Sequence, residues 1–134
     1  MKIFKTKDHL LIKALAPKIT AYMEKEKCEV PVAVIIKWMR TNLQNPLFCV
    51  WIAQEEDEIV GYCVANIQEL LDREVLNIVH IDGNTPETEK EVFETVEKWA
   101  KEYALKYIGT LTKNPERFIS YGLIVNEHKM TKEL

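Results

Sequence analysis

The sequence predicts an α/β (α+β) domain, a mixed, mostly antiparallel twisted sheet of about six strands with helices on both faces. Two observations lead to this prediction. Apolar, β-branched runs with hairpin spacing occupy the middle of the chain. A long amphipathic helix then follows the last of these runs and leads into another strand, which makes it a crossover between parallel strands. At 134 residues, the chain fits a single domain over 1–134.

The first part of the chain predicts one short strand and two helices. Residues 1–5 alternate weakly and form the strand. Thr6 or Asp8 can cap the helix that follows, and Pro17 should kink or restart it because proline fits only the first turn. A second helix is expected from Pro31 to Leu43.

The middle of the chain predicts three strands. Residues 47–53 form a continuous apolar run, typical of a strand that is covered on both faces. The charged turn 55–58 and the returning run 59–67 complete a hairpin. This turn lacks an Asn-Gly signal, so the register stays open by one or two residues. A third long strand is expected over 75–81.

The strongest helix signal begins at Thr85. This residue is the expected cap, Pro86 takes the first helical position, and the helix should run to Leu105. The rest of the chain predicts a strand, a short turn or helix and a last strand, over 107–112, 114–117 and 123–131.

Composition and charge exclude several classes of function. Hydrophobic residues make up 47% of the chain and charged residues 29%, as in ordinary soluble proteins. A net charge of −3 gives no electrostatic footprint for nucleic acid. The apolar runs are too short to cross a bilayer, and charges interrupt the N-terminal stretch, so we expect a cytoplasmic protein. The three cysteines predict neither a disulfide framework nor a metal site; Cys49 and Cys63 should be small buried side chains.

This order of elements resembles the GNAT N-acetyltransferase superfamily over nearly the whole chain. The residues that carry the resemblance are the opening Met1–Lys5, the Ile-Val-Gly-Tyr step at Ile59–Tyr62, the long helix with its alanine-rich end, and Tyr121-Gly122-Leu123. Residues 114–117 resemble members of the family found in bacteriophages. The resemblance implies acetyl-CoA as cofactor and an amine as acceptor. It also implies a V-shaped gap between the fourth and fifth strands that admits the pantetheine arm.

The junction over residues 82–91 departs from the family's pattern. In the family, a Gln/Arg-x-x-Gly-x-Gly/Ala motif at this position cradles the pyrophosphate of coenzyme A. Here Gly83 is the only glycine, and four carboxylates face one lysine. Like charges about 4–6 Å apart cost about 1–3 kcal/mol per pair, which can cancel the attraction of about 0.3–1 kcal/mol at an exposed helix N-terminus. We therefore expect these acids, Glu89 among them, to be solvated residues at a helix start that leave no phosphate cradle.

The resemblance also implies which residues would act if the protein is an active enzyme. His80, at the end of the fourth strand, is the candidate general base. Tyr121 is the candidate general acid, although it directly precedes Gly122, while the family's tyrosine-x-x-glycine spacing falls on Ile119. The candidate coenzyme-binding residues are Ile78, Val79, Ile81, Gly83, Asn84 and Thr85.

Three functions stay open at this point. The favoured one is a degenerate GNAT-fold protein with weak or no acetyl-CoA catalysis, which acts by binding a small-molecule amine or a protein partner. The second is an active, divergent N-acetyltransferase that uses His80 and Tyr121. The third is a structural module that forms a homodimer through the last strand or through exposed aromatic residues.

Overall fold

A computed structural model describes residues 1–69, 71–110 and 115–123 of the chain. The described elements are, in order, β1 (Lys2–Lys5), α1 (His9–Ala14), α2 (Ala16–Lys25), α3 (Val32–Asn42), β2 (Phe48–Glu55), β3 (Glu58–Glu69), β4 (Glu74–Gly83), α4 (Pro86–Glu102), β5 (Tyr107–Thr110) and α5 (Pro115–Ile119). The sheet has the order β1-β2-β3-β4-β5. All neighbours pair antiparallel except β4 and β5, which pair in parallel. The mixed, mostly antiparallel sheet is confirmed, with five described strands where about six were predicted; residues 124–131 of the predicted last strand lie outside the described residues.

Helix starts follow the signals in the sequence. The Asp8 carboxylate accepts the N–H of Leu10 at 2.8 Å and caps α1. Pro17 stands in the first turn of α2, so the predicted restart is confirmed. Thr85 Oγ1 accepts the N–H of Thr88 at 3.1 Å, and Pro86 opens α4 as predicted.

The end of α4 comes earlier than the sequence indicated. The helix stops at Glu102 because Ala104 takes a left-handed conformation, with φ of 66°. The N–H of Leu105 then bonds back to the carbonyl of Ala100 at 2.9 Å and closes the helix end. Ala104 takes the left-handed position that glycine usually takes at a helix end, so no residue type in the sequence marks this stop.

The β2–β3 hairpin closes through a two-residue turn. Glu56 and Asp57 both have positive φ, 49° and 67°, as a type I′ turn requires. The register then shifts between Ala53 and Gln54, which pair with Gly61 and Ile59, so Val60 of β3 is the extra residue of a bulge. The open question of register is resolved by this turn, which forms without the usual Asn-Gly pair.

Helices cover both faces of the sheet, as predicted. The three N-terminal helices pack on one face around a core that includes Ile12, Leu15, Ile19, Met39, Ile52 and Tyr62. Helices α4 and α5 pack on the other face around Trp51, Leu76, Ile78, Ile81, Val92, Val96 and Phe118. Cys49 and Cys63 are buried free thiols in this second core, as the sequence indicated. Within the described ranges, no helix has both the length and the apolar character needed to span a membrane.

Candidate functional site

Within the described residues, the second half of β4 forms an open edge of the sheet. Pairing between β4 and β5 runs from Val75 opposite Tyr107 to Ile78 opposite Thr110. Among the described residues, no strand pairs with the rest of β4 on that side. Beside this point β4 also carries a bulge: Ile78 pairs with Ala65 and His80 with Val64, so Val79 is the extra residue. Backbone groups on this side of β4 after Ile78 are therefore not used in sheet pairing by any described strand.

One side chain of α5, that of Arg117, occupies this open edge. Its Nη2 donates to the carbonyl of Ile81 and to the Glu89 carboxylate, and its Nε donates to Glu89 Oε1 at 3.0 Å. Nη1 lies 3.4 Å from Glu26 Oε1, and Nη2 lies 4.0 Å from Asp82 Oδ1. One guanidinium thus faces three carboxylates and a backbone carbonyl. We call Arg117, the three acids and the aromatic residues that contact them or one another the edge cluster. Its members are Tyr22, Glu26, His80, Asp82, Glu89, Arg117 and Tyr121.

Arg117 is a permanently charged part of this cluster. Its side chain is only 15% exposed. Burial alone lowers its pKa, but hydrogen bonds and charge from Glu89 reverse this and hold the pKa above its ordinary value. The guanidinium also lies over the ring of Tyr22, 5.8 Å from its centroid. Arg117 therefore ties α5 to α2, β4 and α4 at a single point.

Glu89 corrects one expectation from the sequence. It was expected to be a solvated residue at the start of α4, yet it is 8% exposed. It lies on the same stripe of the helix as the buried residues Val92, Phe93 and Val96. Its carboxylate accepts from both Arg117 and the hydroxyl of Tyr121, which satisfies the buried charge. Asp82 is likewise only 19% exposed, and it lies 3.7 Å from Lys25 Nζ.

Tyr121 is held by Glu89 and by aromatic packing. Its hydroxyl donates to Glu89 Oε2, and its ring stacks on Phe93 with centroids 4.6 Å apart. Burial raises its pKa, and the Glu89 carboxylate raises it further. The phenol therefore holds its proton more tightly than a free tyrosine does.

His80 lies on the other side of the cluster, against α2. Its ring packs on Tyr22 with centroids 4.3 Å apart, and on Tyr62 at 6.4 Å. Within the described residues, Nδ1 is buried without a hydrogen-bond partner. Burial lowers the pKa of His80 to about 4. The imidazole is therefore neutral at pH 7 and a weaker base than free histidine.

The two candidate catalytic residues are joined only through others. His80 contacts Tyr22, whose ring lies under Arg117, and Arg117 bonds Glu89, which accepts from Tyr121. Their roles as base and acid stay predictions. The sequence did not single out Arg117, Glu26 or Tyr22. A glutamate within the apolar stripe of α4 was the one available signal, because a buried acid needs a partner.

Solved structures of other proteins have the same fold as this chain. A predicted acetyltransferase from Clostridium acetobutylicum, crystallised with acetyl-CoA, superimposes with a TM-score of 0.80 at 16% identity, covering 98% of this chain and 95% of that one. The fold is that of the GNAT acetyltransferases. A metagenomic integron cassette protein from Cole Harbour Salt Marsh gives 0.81 at 12% identity, with 98% and 89% covered. A soil metagenomic aminoglycoside acetyltransferase in complex with sisomicin gives 0.74 at 15%, with 99% and 93% covered. No protein-family model and no curated protein matches the sequence.

Several backbone N–H groups at the start of α4, where the GNAT resemblance implies that a pyrophosphate would bind, are already used within the fold. A cradle needs free backbone N–H groups. The N–H of Asn84 bonds to the carbonyl of Val60 at 2.8 Å, and Pro86 has no N–H. The N–H groups of Thr88 and Glu89 bond to Thr85, each at 3.1 Å.

Space at this junction is also taken. A Cβ on Gly83 would lie 2.5 Å from the backbone nitrogen of Glu89, so the helix start packs directly on the end of β4. The side chain of Asn84 accepts from Lys18. Of the other candidate coenzyme-binding residues, Ile78 and Ile81 are buried toward α4, and Val79 packs on the opposite face. In the structure, the end of β4 and the start of α4 thus form a close-packed junction.

Proposed function

We propose that this protein is a degenerate acetyltransferase, a GNAT-fold protein that acts by binding a partner and has little or no acetyl-CoA catalysis. The observation that carries the proposal is the bond from Arg117 to the carbonyl of Ile81. The resemblance to GNAT enzymes implies that the backbone of this strand would bind the pantetheine arm of the coenzyme. Here an internal guanidinium holds the same strand, and its charge is already balanced by Glu89 and Glu26.

Charge supports the same conclusion. The edge cluster combines three carboxylates with Arg117, and Lys25 lies at its border. An incoming pyrophosphate would meet Asp82 and Glu89 next to the junction that should bind it. Because such repulsion costs about 1–3 kcal/mol per pair, this surface is better suited to a cationic group. A small-molecule amine or a basic segment of a protein is therefore the partner class we propose for it.

The acid–base properties of the candidates also favour binding over catalysis. A base with a pKa near 4 removes a proton from an ammonium group poorly at neutral pH. Tyr121, whose pKa is raised, gives up its proton reluctantly. Neither residue is tuned toward neutral pH, as acid–base catalysts usually are.

A second candidate function has one observation in its favour. The separation of β4 from β5 after Ile78, beside the bulge at Val79, matches the gap that the GNAT resemblance implies for the pantetheine arm. One structural neighbour was crystallised with acetyl-CoA. If Arg117 moves aside, this geometry would suit an active, divergent N-acetyltransferase.

Isothermal titration calorimetry with acetyl-CoA separates the two functions. We expect no saturable heat up to about 1 mM ligand, and a melting temperature unchanged by ligand. The Clostridium acetobutylicum protein, run under the same conditions, is the positive control. Saturable binding with a Kd below about 100 µM would overturn the proposal. In that event, loss of turnover in His80→Ala would assign the base, and unchanged turnover would exclude it.

A further inference from the structure

A second surface, formed by the helices α1, α2 and α3, has the opposite charge to the edge cluster. A groove with a volume of about 640 Å³ runs between them and shares no residue with that cluster. We call it the basic groove; it is lined by His9, Lys13, Ala16, Val32, Ala33, Ile36, Lys37, Arg40 and Thr41. Four of these residues are basic and none is acidic, on a chain whose net charge is −3.

The spacing of these residues explains why they face one another. On the first wall, His9, Lys13 and Ala16 recur at intervals of four and three along α1 and the start of α2. On the second wall, residues of α3 recur in the same way from Val32 to Thr41. Arg40 Nε donates to His9 Nδ1 at 3.4 Å, which places the end of α3 beside the start of α1.

In the described part of the chain, the lysines and the arginine of the basic groove form no ion pair with a carboxylate. Among residues 1–69, 71–110 and 115–123, no carboxylate oxygen lies within 4.0 Å of the charged nitrogens of Lys13, Lys37 or Arg40. Lys13 and Arg40 stand in the last turns of their helices, where a cation is favoured. The favourable interaction with the helix dipole is available at any position around the last turn, so it does not explain why Lys13 and Arg40 both line the basic groove.

Polarity changes along the length of the groove. His9 and Arg40 mark one end, and Lys13 and Lys37 lie one helical turn further in. The opposite end is apolar, with Ala16, Val32 and Ala33. The wall from Ala33 to Thr41 is about 12 Å long. The groove therefore offers a cationic end and an aliphatic end within the length of a short alkyl chain.

We propose that the basic groove binds an amphipathic anion, namely an aliphatic chain that carries a phosphate monoester head. The head would lie among His9, Lys13, Lys37 and Arg40, and the chain would lie on the apolar end. A phosphate monoester carries close to two negative charges at neutral pH, which matches several unpaired cations better than a single carboxylate does. Half-buried Val32 and Ile36 supply the apolar contact.

NMR titration of the ¹⁵N-labelled full chain tests this proposal with four probes. These are n-octyl phosphate, octanoate, inorganic phosphate and uncharged octyl glucoside below its micellar concentration. We expect saturable shifts in α1, α3 and the start of α2 with n-octyl phosphate, and an affinity at least about fivefold higher than for octanoate. Inorganic phosphate and octyl glucoside should each bind at least about tenfold more weakly. Equal affinity for octanoate, equal affinity for octyl glucoside, or shifts outside these helices would each overturn the proposal.

Variants and salt give independent readouts of the same site. Arg40→Gln should weaken n-octyl phosphate about tenfold, and Lys37→Gln about fivefold. Lys98→Gln, an exposed lysine of α4 on the opposite face, is the matched control and should leave affinity unchanged. If a groove variant fails to fold, the salt dependence of the unsubstituted chain decides. Affinity that does not fall between about 50 and 500 mM NaCl would refute a charge-based site.

Discussion

Removing Arg117 should cost this protein much of its stability, because one side chain neutralises a buried set of acids. In Arg117→Met, Glu26, Asp82 and Glu89 lose the guanidinium that lies within 4.0 Å of each of them. Breaking a buried ion pair costs about 3–5 kcal/mol. Since these side chains keep 11–19% exposure, we expect the lower end, about 3 kcal/mol. That corresponds to a fall of about 10 °C in melting temperature.

The partner substitution should cost less. In Glu89→Gln, Arg117 still faces Glu26 and Asp82, so we expect a loss of only about 1–2 kcal/mol from the weakened hydrogen bonds. In the double variant Glu89→Met/Arg117→Met, the charges are removed together. It should cost at least about 1 kcal/mol less than the sum of Arg117→Met and Glu89→Met.

Urea unfolding followed by circular dichroism measures these free energies. Arg73→Met is the matched control, because Arg73 pairs only with Asp72, and the two side chains are 36% and 73% exposed. Such a surface pair contributes about 0–1 kcal/mol. If Arg117→Met is no more destabilising than Arg73→Met, or if the double variant is strictly additive, then Arg117 does not organise the edge cluster.

Three further predictions concern His80, Gly83 and Thr85. His80 has a folded pKa of about 4 against about 6.5 when unfolded. Between these two pH values the unfolded chain therefore binds more protons than the folded one. The free energy of unfolding decreases as the pH is lowered, by about 2 kcal/mol from pH 8 to pH 5. His80→Phe should abolish that part of the slope in urea midpoints, and an unchanged slope would contradict the burial of the ring. Gly83→Ala should lower the free energy of unfolding by at least about 2 kcal/mol, because the added Cβ meets the backbone of α4. Gly109→Ala is the control and should lose less, since the added Cβ there meets only the Val75 side chain, at 3.3 Å. Equal losses would refute the close packing of α4 on β4. Thr85→Ala should cost about 1 kcal/mol by calorimetric melting through loss of the α4 cap, and no change would show that the cap is replaceable.

Local signals in the sequence predict most of the fold. Prolines and capping residues act within one helical turn, so Asp8, Pro17 and Thr85 mark helix starts that the structure confirms. The apolar runs locate β2, β3 and β4 because many of their side chains are buried on one or the other face of the sheet. This signal does not depend on how the strands are aligned with one another. Ala104 shows where such signals end, since its left-handed conformation is selected by packing after the helix and not by its own preference.

The candidate site was predicted less completely because its contacts are distant in sequence. Arg117 and Ile81 are 36 positions apart, and Arg117 and Glu26 are 91 apart. No local pattern links an arginine in a short C-terminal helix to acids on two other helices. The position of His80 at the end of β4 could be predicted, but its neutral state depends on the packing of Tyr22 against its ring.

The end of β4 also bears on how copies of this chain meet one another. An unpaired strand edge is a template on which a second chain can add a strand. Here the guanidinium of Arg117 takes up the Ile81 carbonyl and places a fixed charge beside it. A second strand that paired at Ile81 would have to break this bond and lie beside the charge of Arg117. The side chain of Arg117 therefore opposes the addition of a second strand at Ile81.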